Sequence, residues 1–449
     1  MTNSDPLSTF LDRHPDLKYI DAFLFDLCGK PLGKRYRASE ARKLFQTGLN
    51  MCAAVTLLDA TGNTSDPLGY GVSDGDPDAL CRPLPATLAP VPWARTPTAQ
   101  VMVEMRNPET GDPIWFEPRQ VLKRVLDRFG DVGLTPVVAL ELEFYLIDAR
   151  RDDRGFPRPV TSPRSGKPVS AKTVYGMETL DEFGGLLEAF GNACDAQAIP
   201  ATVASSEFAP GQFEINLMHQ SDALAAADHA GLLKRCVTAV ARAQGIDATF
   251  ASKPFAEESG SGLHIHLSIL DRDGQNIFAD AQDDTLKRAI TGLQATMADS
   301  MAIFAPNINA FRRFQPDLFV PVTKDWGYDN RAAAFRVPPA RGQDRRIEHR
   351  VAGADANPYL ALASVLAGAL HGLTNDGLTA TAPAAGNVSS TPDPTLPQTL
   401  WHALDRLTDA PILAEALGRD YLEIYRSVKT NEFLDLVSTP LPREFEWYL

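Results

Sequence analysis

The sequence has few cysteines, no long apolar run and a deficit of basic residues. Its five cysteines are scattered over 449 residues, which is typical of reduced thiols and argues against a disulfide framework or a zinc site. No apolar run approaches the roughly 18 residues that a spanning helix needs. The first residues lack the basic-then-apolar pattern of a secretory signal. We therefore expect a cytoplasmic protein with no membrane partner.

The charge balance argues against a nucleic-acid-binding protein. Lysine and arginine together number 43 against 57 acidic residues, a net charge of -14, whereas nucleic-acid binding usually requires a basic surface. Such a charge helps to attract a cationic substrate. With 44% apolar and 22% charged residues, the chain is globular, and its length favours two domains.

The sequence patterns divide the chain near residue 115. Before this point short strands and helices alternate, including a predicted strand over 53–58, and a loop rich in glycine, proline and aspartate follows over 60–98. Beyond it, long helices alternate with strands. We predict a small α+β domain over 1–115 and a larger domain over 116–449.

The segment 259–269 combines glycines with an alternating strand. In its second half His264, His266 and Ser268 alternate with apolar residues, so all three lie on one face of a strand. Two imidazoles behind a glycine-rich turn are typical of a metal and an anion bound side by side. A sheet face with two solvated histidines would show the same pattern, and this segment alone does not decide between them.

Glutamates interrupt strands that are otherwise apolar. Glu141 and Glu143 stand two positions apart, roughly 6.6 Å along a strand, and carboxylates in such a strand require cations because buried unpaired charge is costly. Glu207 and Glu214 belong to a second strand region, and Glu348 to an arginine-rich one. With one histidine, these oxygen ligands favour Mg²⁺ or Mn²⁺ over zinc.

Arginines are dense between residues 309 and 350. Their guanidinium groups offer donors for phosphate and carboxylate oxygens, and the candidates are Arg313, Arg331, Arg336, Arg346 and Arg350. The chain has no Walker-type lysine loop. Divalent metals together with arginines therefore indicate an enzyme that transfers a phosphoryl group by neutralising its charge and aligning the reactants.

These motifs resemble, in order and along nearly the whole chain, those of the glutamine synthetase family. The matching blocks are Glu141-Leu-Glu143, 207–214, 253–266, 309–313, 330–338, 346–350 and 355–359. The resemblance implies an α+β fold, with an N-terminal β-grasp domain and a C-terminal catalytic domain whose antiparallel barrel-like sheet is flanked by helices. It also implies a homo-oligomer, a dodecamer of two stacked hexameric rings with sites between neighbouring subunits.

The resemblance further implies a role for each site residue. One metal would be held by Glu143, Glu207 and Glu214, and another by Glu141, His264 and Glu348. ATP, the co-substrate, would contact His219, His266, Ser268, Arg336 and Arg346. L-Glutamate and its transferred phosphate would contact Gly260, Arg313, Arg331 and Arg350, of which the last two are expected to be catalytic. Each site would use two or three Mg²⁺ or Mn²⁺ ions.

Departures from the family pattern concern the acceptor and regulation. Ammonia-using members carry Arg-Leu-x-Pro-Gly-x-Glu, whereas this chain has a run from Arg313 that ends in Phe319. Phenylalanine cannot bind ammonium as an anion, but it can line a pocket for an alkyl chain and attract a cation. The expected base for the attacking amine is Asp59, although the family's Asp-Gly-Ser-Ser segment is replaced here. The tyrosine of the family's adenylylation loop has no match in 374–400, so that regulation is not expected.

Within the family, these features resemble the γ-glutamylpolyamine synthetases. We predict an ATP-dependent ligase that phosphorylates the glutamate γ-carboxylate and transfers the acyl group to a primary amine, putrescine or another polyamine. A ligase for a small monoamine (methylamine, ethanolamine or isopropylamine) and an ammonia-using glutamine synthetase remain alternatives. A non-catalytic ring-forming member would have lost metal ligands that are all present here.

Overall fold

A computed structural model describes residues 5–280, 282–441 and 444–446. The outer limits of the two predicted domains, Met1 and Leu449, lie outside the described residues. In the described chain the strands form two separate sheets, one built from strands before residue 107 and one from strands after residue 134.

The first sheet has the order β2-β1-β6-β4-β3, with β5 paired to β6. Its strands are β1 (Tyr19–Phe25), β2 (Pro31–Arg37), β3 (Leu49–Cys52), β4 (Asp78–Pro83), β5 (Ala89–Pro90) and β6 (Thr98–Arg106). Strands β1 and β6 are parallel at its centre, and the other pairs are antiparallel. Helices α1 (Pro6–Arg13) and α2 (Ala41–Thr47) accompany it. The predicted β-grasp arrangement is confirmed.

The second sheet has the order β13-β14-β15-β12-β7-β10-β9, and β8 and β11 also pair with β7. Its strands are β7 (Thr135–Arg151), β8 (Pro157–Pro159), β9 (Ala201–Ser206), β10 (Gln212–Leu217), β11 (Ile246–Thr249), β12 (Leu263–Leu270), β13 (Trp326–Tyr328), β14 (Phe335–Val337) and β15 (Ile347–His349). All pairs are antiparallel except β13 with β14. The sheet is nearly closed into the predicted barrel.

The helices after residue 115 pack partly on the second sheet and partly on one another. They are α3 (Pro118–Asp131), α4 (Met177–Glu182), α5 (Gly184–Ala196), α6 (Ala223–Ala243), α7 (Asp284–Phe304), α8 (Ile308–Phe311), α9 (Pro358–Thr374), α10 (Leu400–Leu407), α11 (Pro411–Leu417) and α12 (Arg419–Ser438). The alanine-rich α9 is almost wholly buried, and Asn357 caps it by accepting from the amides of Tyr359 and Leu360. Helices α7 and α9 touch at their backbones, since a Cβ on Gly292 would lie 2.1 Å from the carbonyl of Gly368. None of the described helices combines the length and apolar character needed to cross a bilayer.

The segment before Asp59 differs from its prediction. Residues 53–58 were expected to form a strand, but Ala53–Leu57 form a 3₁₀-helix. Thr56 and Leu57 are completely buried, and the Thr56 carbonyl accepts from the amide of Leu27. When a short apolar run is buried on several sides, its pattern of apolar and polar residues has no period, so the sequence does not distinguish a strand from a 3₁₀-helix.

Candidate active site

Strand β7 carries the first cluster of acidic groups at the centre of the second sheet. The strand register places Glu141 opposite His264 of β12 and Glu143 opposite Glu214 of β10. His264 Nδ1 lies 3.3 Å from Glu141 Oε2 and 3.6 Å from Glu214 Oε2, and His264 Nε2 lies 3.6 Å from Glu143 Oε1. Burial and Arg350 lower the pKa of His264, but these carboxylates outweigh them and raise it to about 10.

Glu207 adds a further carboxylate to this cluster. Burial, together with the charges of Glu143 and Glu214, raises the pKa of Glu207 to about 8. The pKa of Glu214 is also raised, chiefly by burial. Carboxylates held together against their mutual repulsion form a site that a cation would stabilise.

Glu348 of β15 is the centre of a second cluster. It pairs with Arg336 Nη1 at 2.5 Å and also with Arg350. Glu348 is 1% exposed; burial raises its pKa, but Arg350, His264 and the other nearby cations outweigh burial and lower it to about 2. His266 of β12, opposite Glu348 in the register, brings its Nε2 to 2.8 Å from Glu141 Oε1 without hydrogen-bond geometry.

The donor sets fit divalent cations. Glu141, His264 and Glu214 offer ligand atoms within 4.8 Å of one another, and so do Glu141, His266 and Glu348. Carboxylate oxygens with one imidazole suit Mg²⁺ or Mn²⁺. The predicted division of ligands into two sets stays a prediction, since Glu141 belongs to both of these groups and His266 to one of them.

The residues predicted to face ATP lie around His266. Arg346 Nε donates to His266 Nδ1 at 3.1 Å, and the rings of His219 and His266 are 5.8 Å apart. Ser268 is buried two positions further along the strand, and Arg336 joins the group through Glu348. The structure thus brings His219 and Arg346 to His266, and the contact of the five residues with ATP stays a prediction.

Arg313 runs beneath the glycine-rich turn. A Cβ on Gly260 would lie 2.5 Å from Arg313 Cγ, and one on Gly262 would lie 2.7 Å from Arg313 Nη2. The glycines at 260 and 262 therefore make room for the Arg313 side chain. Arg313 Nη1 donates to the Val351 carbonyl at 2.7 Å. The Nε atoms of Arg313 and Arg350 are buried and have no partner among the described residues, as expected of donors that await an anionic ligand.

A cavity of about 650 Å³ opens beside these clusters. Phe319, Arg331 and Asp329 all line it. Asp329 pairs with Arg336 at 2.6 Å, and Arg336 in turn pairs with Glu348. This chain of ion pairs connects the cavity to Glu348, one of the residues that could hold a metal ion.

The side chain of Asp59 forms its hydrogen bonds away from the clusters on the second sheet. Its Oδ1 accepts from the Thr61 amide at 2.8 Å, the Thr61 hydroxyl at 2.7 Å and the Asn63 amide at 2.9 Å. Burial raises the pKa of Asp59, but these hydrogen bonds outweigh burial and lower it. The neighbouring Ala60 amide donates to Glu432 of α12 at 2.7 Å. Among the described residues, Asp59 has no hydrogen bond to the second sheet.

Sequence reasoning missed two residues that hold the turn. Gln212 Nε2 donates to the Gly260 carbonyl at 3.0 Å, and the Tyr145 hydroxyl donates to the Ser259 carbonyl at 2.6 Å. They are directly opposite in the register of β10 and β7. The available signal was Gln212, a polar residue next to the apolar Phe213 at the start of β10.

Comparison with known proteins agrees with this architecture. The family model described as glutamine synthetase, catalytic domain, matches residues 116–448. The chain is 38% identical over 443 residues to the gamma-glutamylputrescine synthetase of Escherichia coli (strain K12), covering 98% of this chain and 93% of that one. It is 32% identical to the gamma-glutamylethanolamide synthetase of Streptomyces coelicolor, covering 91% and 87%. A solved GmaS–ADP complex has a TM-score of 0.84 at 25% identity and covers 99% of both chains.

The chain belongs to the glutamine synthetase family. Its chemistry is therefore ATP-dependent γ-glutamyl ligation with divalent metal ions, and it is an enzyme of the glutamate–amine ligase type.

Proposed function

We propose that this enzyme joins the γ-carboxyl group of L-glutamate to a polyamine, with putrescine as the best acceptor. The observation that carries the proposal is Phe319, an exposed aromatic side chain on the wall of the cavity beside Arg331. At this position the ammonia-using pattern has a glutamate. An aromatic ring excludes the anionic environment that ammonium needs and offers an apolar, cation-attracting surface to an alkylamine. The similarity to a gamma-glutamylputrescine synthetase supports the same acceptor.

In the first step, a γ-carboxylate oxygen of glutamate attacks the γ-phosphorus of ATP, and ADP leaves. Arg313 and Arg350 bind glutamate through donors such as their buried Nε atoms, while His266, Arg346 and Arg336 lie along the nucleotide. Two or three Mg²⁺ ions, held by the six carboxylate and imidazole ligands, would neutralise phosphate charge when bound. The hard oxygen donors favour Mg²⁺ or Mn²⁺ over softer metals.

In the second step, the amine nitrogen attacks the carbonyl carbon of γ-glutamyl phosphate, and phosphate leaves. Arg331 and Arg350 stabilise the negative charge that develops, and Asp59 accepts the proton that the amine loses. Asp59 is ionised at neutral pH and so attracts the ammonium form, while the hydrogen bonds that lower its pKa make it a weaker base than a free carboxylate.

We infer that Asp59 acts on the site of a neighbouring copy in a dodecamer of two stacked hexameric rings. Its contacts within one chain go to its own loop, and that loop is joined to α12 rather than to the second sheet. We also place the domain boundary at residue 115, which is supported by a separate apolar core in the first sheet and by a family match that starts at 116.

The test is a phosphate-release assay with glutamate, ATP and Mg²⁺, with ammonium, putrescine, spermidine, ethanolamine or isopropylamine as acceptor. We expect the highest kcat/KM with putrescine and little activity with ammonium. Ammonium as the best substrate would refute the polyamine proposal, and a monoamine as the best substrate would favour the monoamine alternative.

A variant tests the role of Phe319 itself. Phe319→Glu should raise kcat/KM for ammonium and lower it for putrescine, because it places an anion where the apolar ring stands. Phe156→Glu is the matched control, since Phe156 is similarly exposed but lines a different cavity. An unchanged amine preference in Phe319→Glu would contradict the assignment.

A further inference from the structure

The cavity wall at Phe319 contains a carboxylate that the proposed mechanism does not use. Asp317 lines the same cavity as Phe319, Asp329 and Arg331. Asp317 and Phe319 both have left-handed backbones, with φ of +61° and +54°. Non-glycine residues seldom adopt this conformation, and such local strain concentrates at functional sites.

Surrounding contacts fix the orientation of the Asp317 side chain. Asn387 Oδ1 accepts from both the amide and the hydroxyl of Ser389, at 3.0 and 2.9 Å. The Asn387 Nδ2 group is therefore the one that faces Asp317, and it donates to Asp317 Oδ1 at 2.6 Å. The Asp317 amide also donates to the Ser389 carbonyl. Among the described residues Asp317 Oδ2 has no hydrogen-bond partner, so one carboxylate oxygen is held and the other is available.

The two carboxylates on the cavity wall differ in their charge balance. Asp329 is neutralised by Arg336 at 2.6 Å, whereas within the described part of the chain the Asp317 carboxylate accepts a hydrogen bond from a neutral amide and forms no ion pair. Asp317 therefore contributes a negative charge to the cavity that no ion pair among the described residues neutralises. Arg331 contributes positive charge to the same cavity, and the exposed ring of Phe319 contributes an apolar face.

We propose that Asp317 binds the second, non-reacting ammonium group of a diamine acceptor and so selects diamines over monoamines. This inference rests on the proposed function, because it assumes that the acceptor occupies this cavity with its reactive nitrogen toward the glutamyl phosphate at Arg331. The methylene chain lies along Phe319, and the far ammonium donates to Asp317 Oδ2. A charge-assisted hydrogen bond of this kind is stronger than one between neutral groups.

The experiment compares putrescine with n-butylamine, which has the same carbon chain and a methyl group in place of the second ammonium. The measured quantity is the ratio of kcat/KM for the two amines, obtained by phosphate release with the full-length enzyme. Asp317→Asn should lower this ratio about tenfold, mainly through KM for putrescine. Asp376→Asn removes the same charge from an exposed surface pair with Arg288 and should leave the ratio unchanged.

Two further variants separate direct contact from general electrostatics and from misfolding. Asp329→Asn should affect both amines alike, and an equal fall in the ratio there would overturn the inference. Asp317→Glu keeps the charge on a side chain one methylene longer, so the preferred diamine should shift toward 1,3-diaminopropane. If the wild-type enzyme prefers putrescine but the ratio is unchanged in Asp317→Asn, the inference fails while the proposed function stands. If the wild-type enzyme does not prefer putrescine to butylamine, both fail.

Discussion

The ion pair between Arg336 and Glu348 offers a direct test of how burial determines the energetics of the site. Both side chains are largely buried, with 13% and 2% of their surface exposed, and Glu348 also pairs with Arg350. Glu348→Gln removes the negative charge and leaves the buried Arg350 guanidinium without its carboxylate partner, whereas Arg336 keeps its pair with Asp329. Breaking a buried pair from one side costs about 3–5 kcal/mol. We therefore expect Glu348→Gln to lower the free energy of unfolding by about that amount.

The control for this prediction is a pair with the same separation at the surface. Arg128 and Glu415 are also 2.5 Å apart, but 32% and 73% of their side chains are exposed, so Glu415→Gln should cost no more than about 1 kcal/mol. Urea midpoints report the loss of stability in both variants. They are measured with EDTA and at one protein concentration, because bound metal and association between subunits also stabilise the folded chain. Equal, small losses in the two variants would refute the reasoning.

Three further predictions concern pH, metal and the base. Burial raises the pKa of Glu117 from 4.5 to about 8 despite its hydrogen bond from the Met105 amide. The protonated Glu117 therefore contributes fully to stability below pH 4.5, and this contribution is lost as the pH rises through 8. Glu117→Gln should reduce the fall in urea midpoint between pH 6 and 9, and an unchanged fall would contradict this. Mg²⁺ binding should release protons at pH 7, because Glu207 has a pKa of about 8 without metal; titration calorimetry in two buffers measures this, and Glu207→Gln should release fewer. Asp59→Asn should lower kcat with putrescine by about a hundredfold or more while glutamate still protects the enzyme against heat, and a kcat near that of the wild type would exclude Asp59 as the base.

Local pattern was enough to predict the strands that carry the metal ligands. The alternation around His264 and the paired glutamates at 141 and 143 have a period of two, and β12 and β7 follow it. The same pattern did not predict burial on both faces: His264 and His266 are 5% and 4% exposed, because neighbouring strands and helices that are remote in sequence cover them. The family resemblance supplied the fold, which no local pattern contains.

The sequence did not predict the cavity or the packing around Gly260, because both depend on segments that are far apart in the sequence. The cavity at Phe319 is built from residues 317–319, 328–332 and 383–389, and only the folded chain brings them together. The need for glycine at 260 depends on the path of Arg313, more than 50 positions away. The roles of Asp59 and of the individual metal ligands stay predictions.

The most direct test of the central claim is a competition between acceptors in one reaction. The enzyme is incubated with glutamate, ATP, Mg²⁺ and equal concentrations of putrescine and ¹⁵N-ammonium, and the products are separated by mass. We predict γ-glutamylputrescine as the main product and almost no ¹⁵N-glutamine. A product mixture dominated by ¹⁵N-glutamine would contradict the proposed acceptor and, with it, the role given to Phe319.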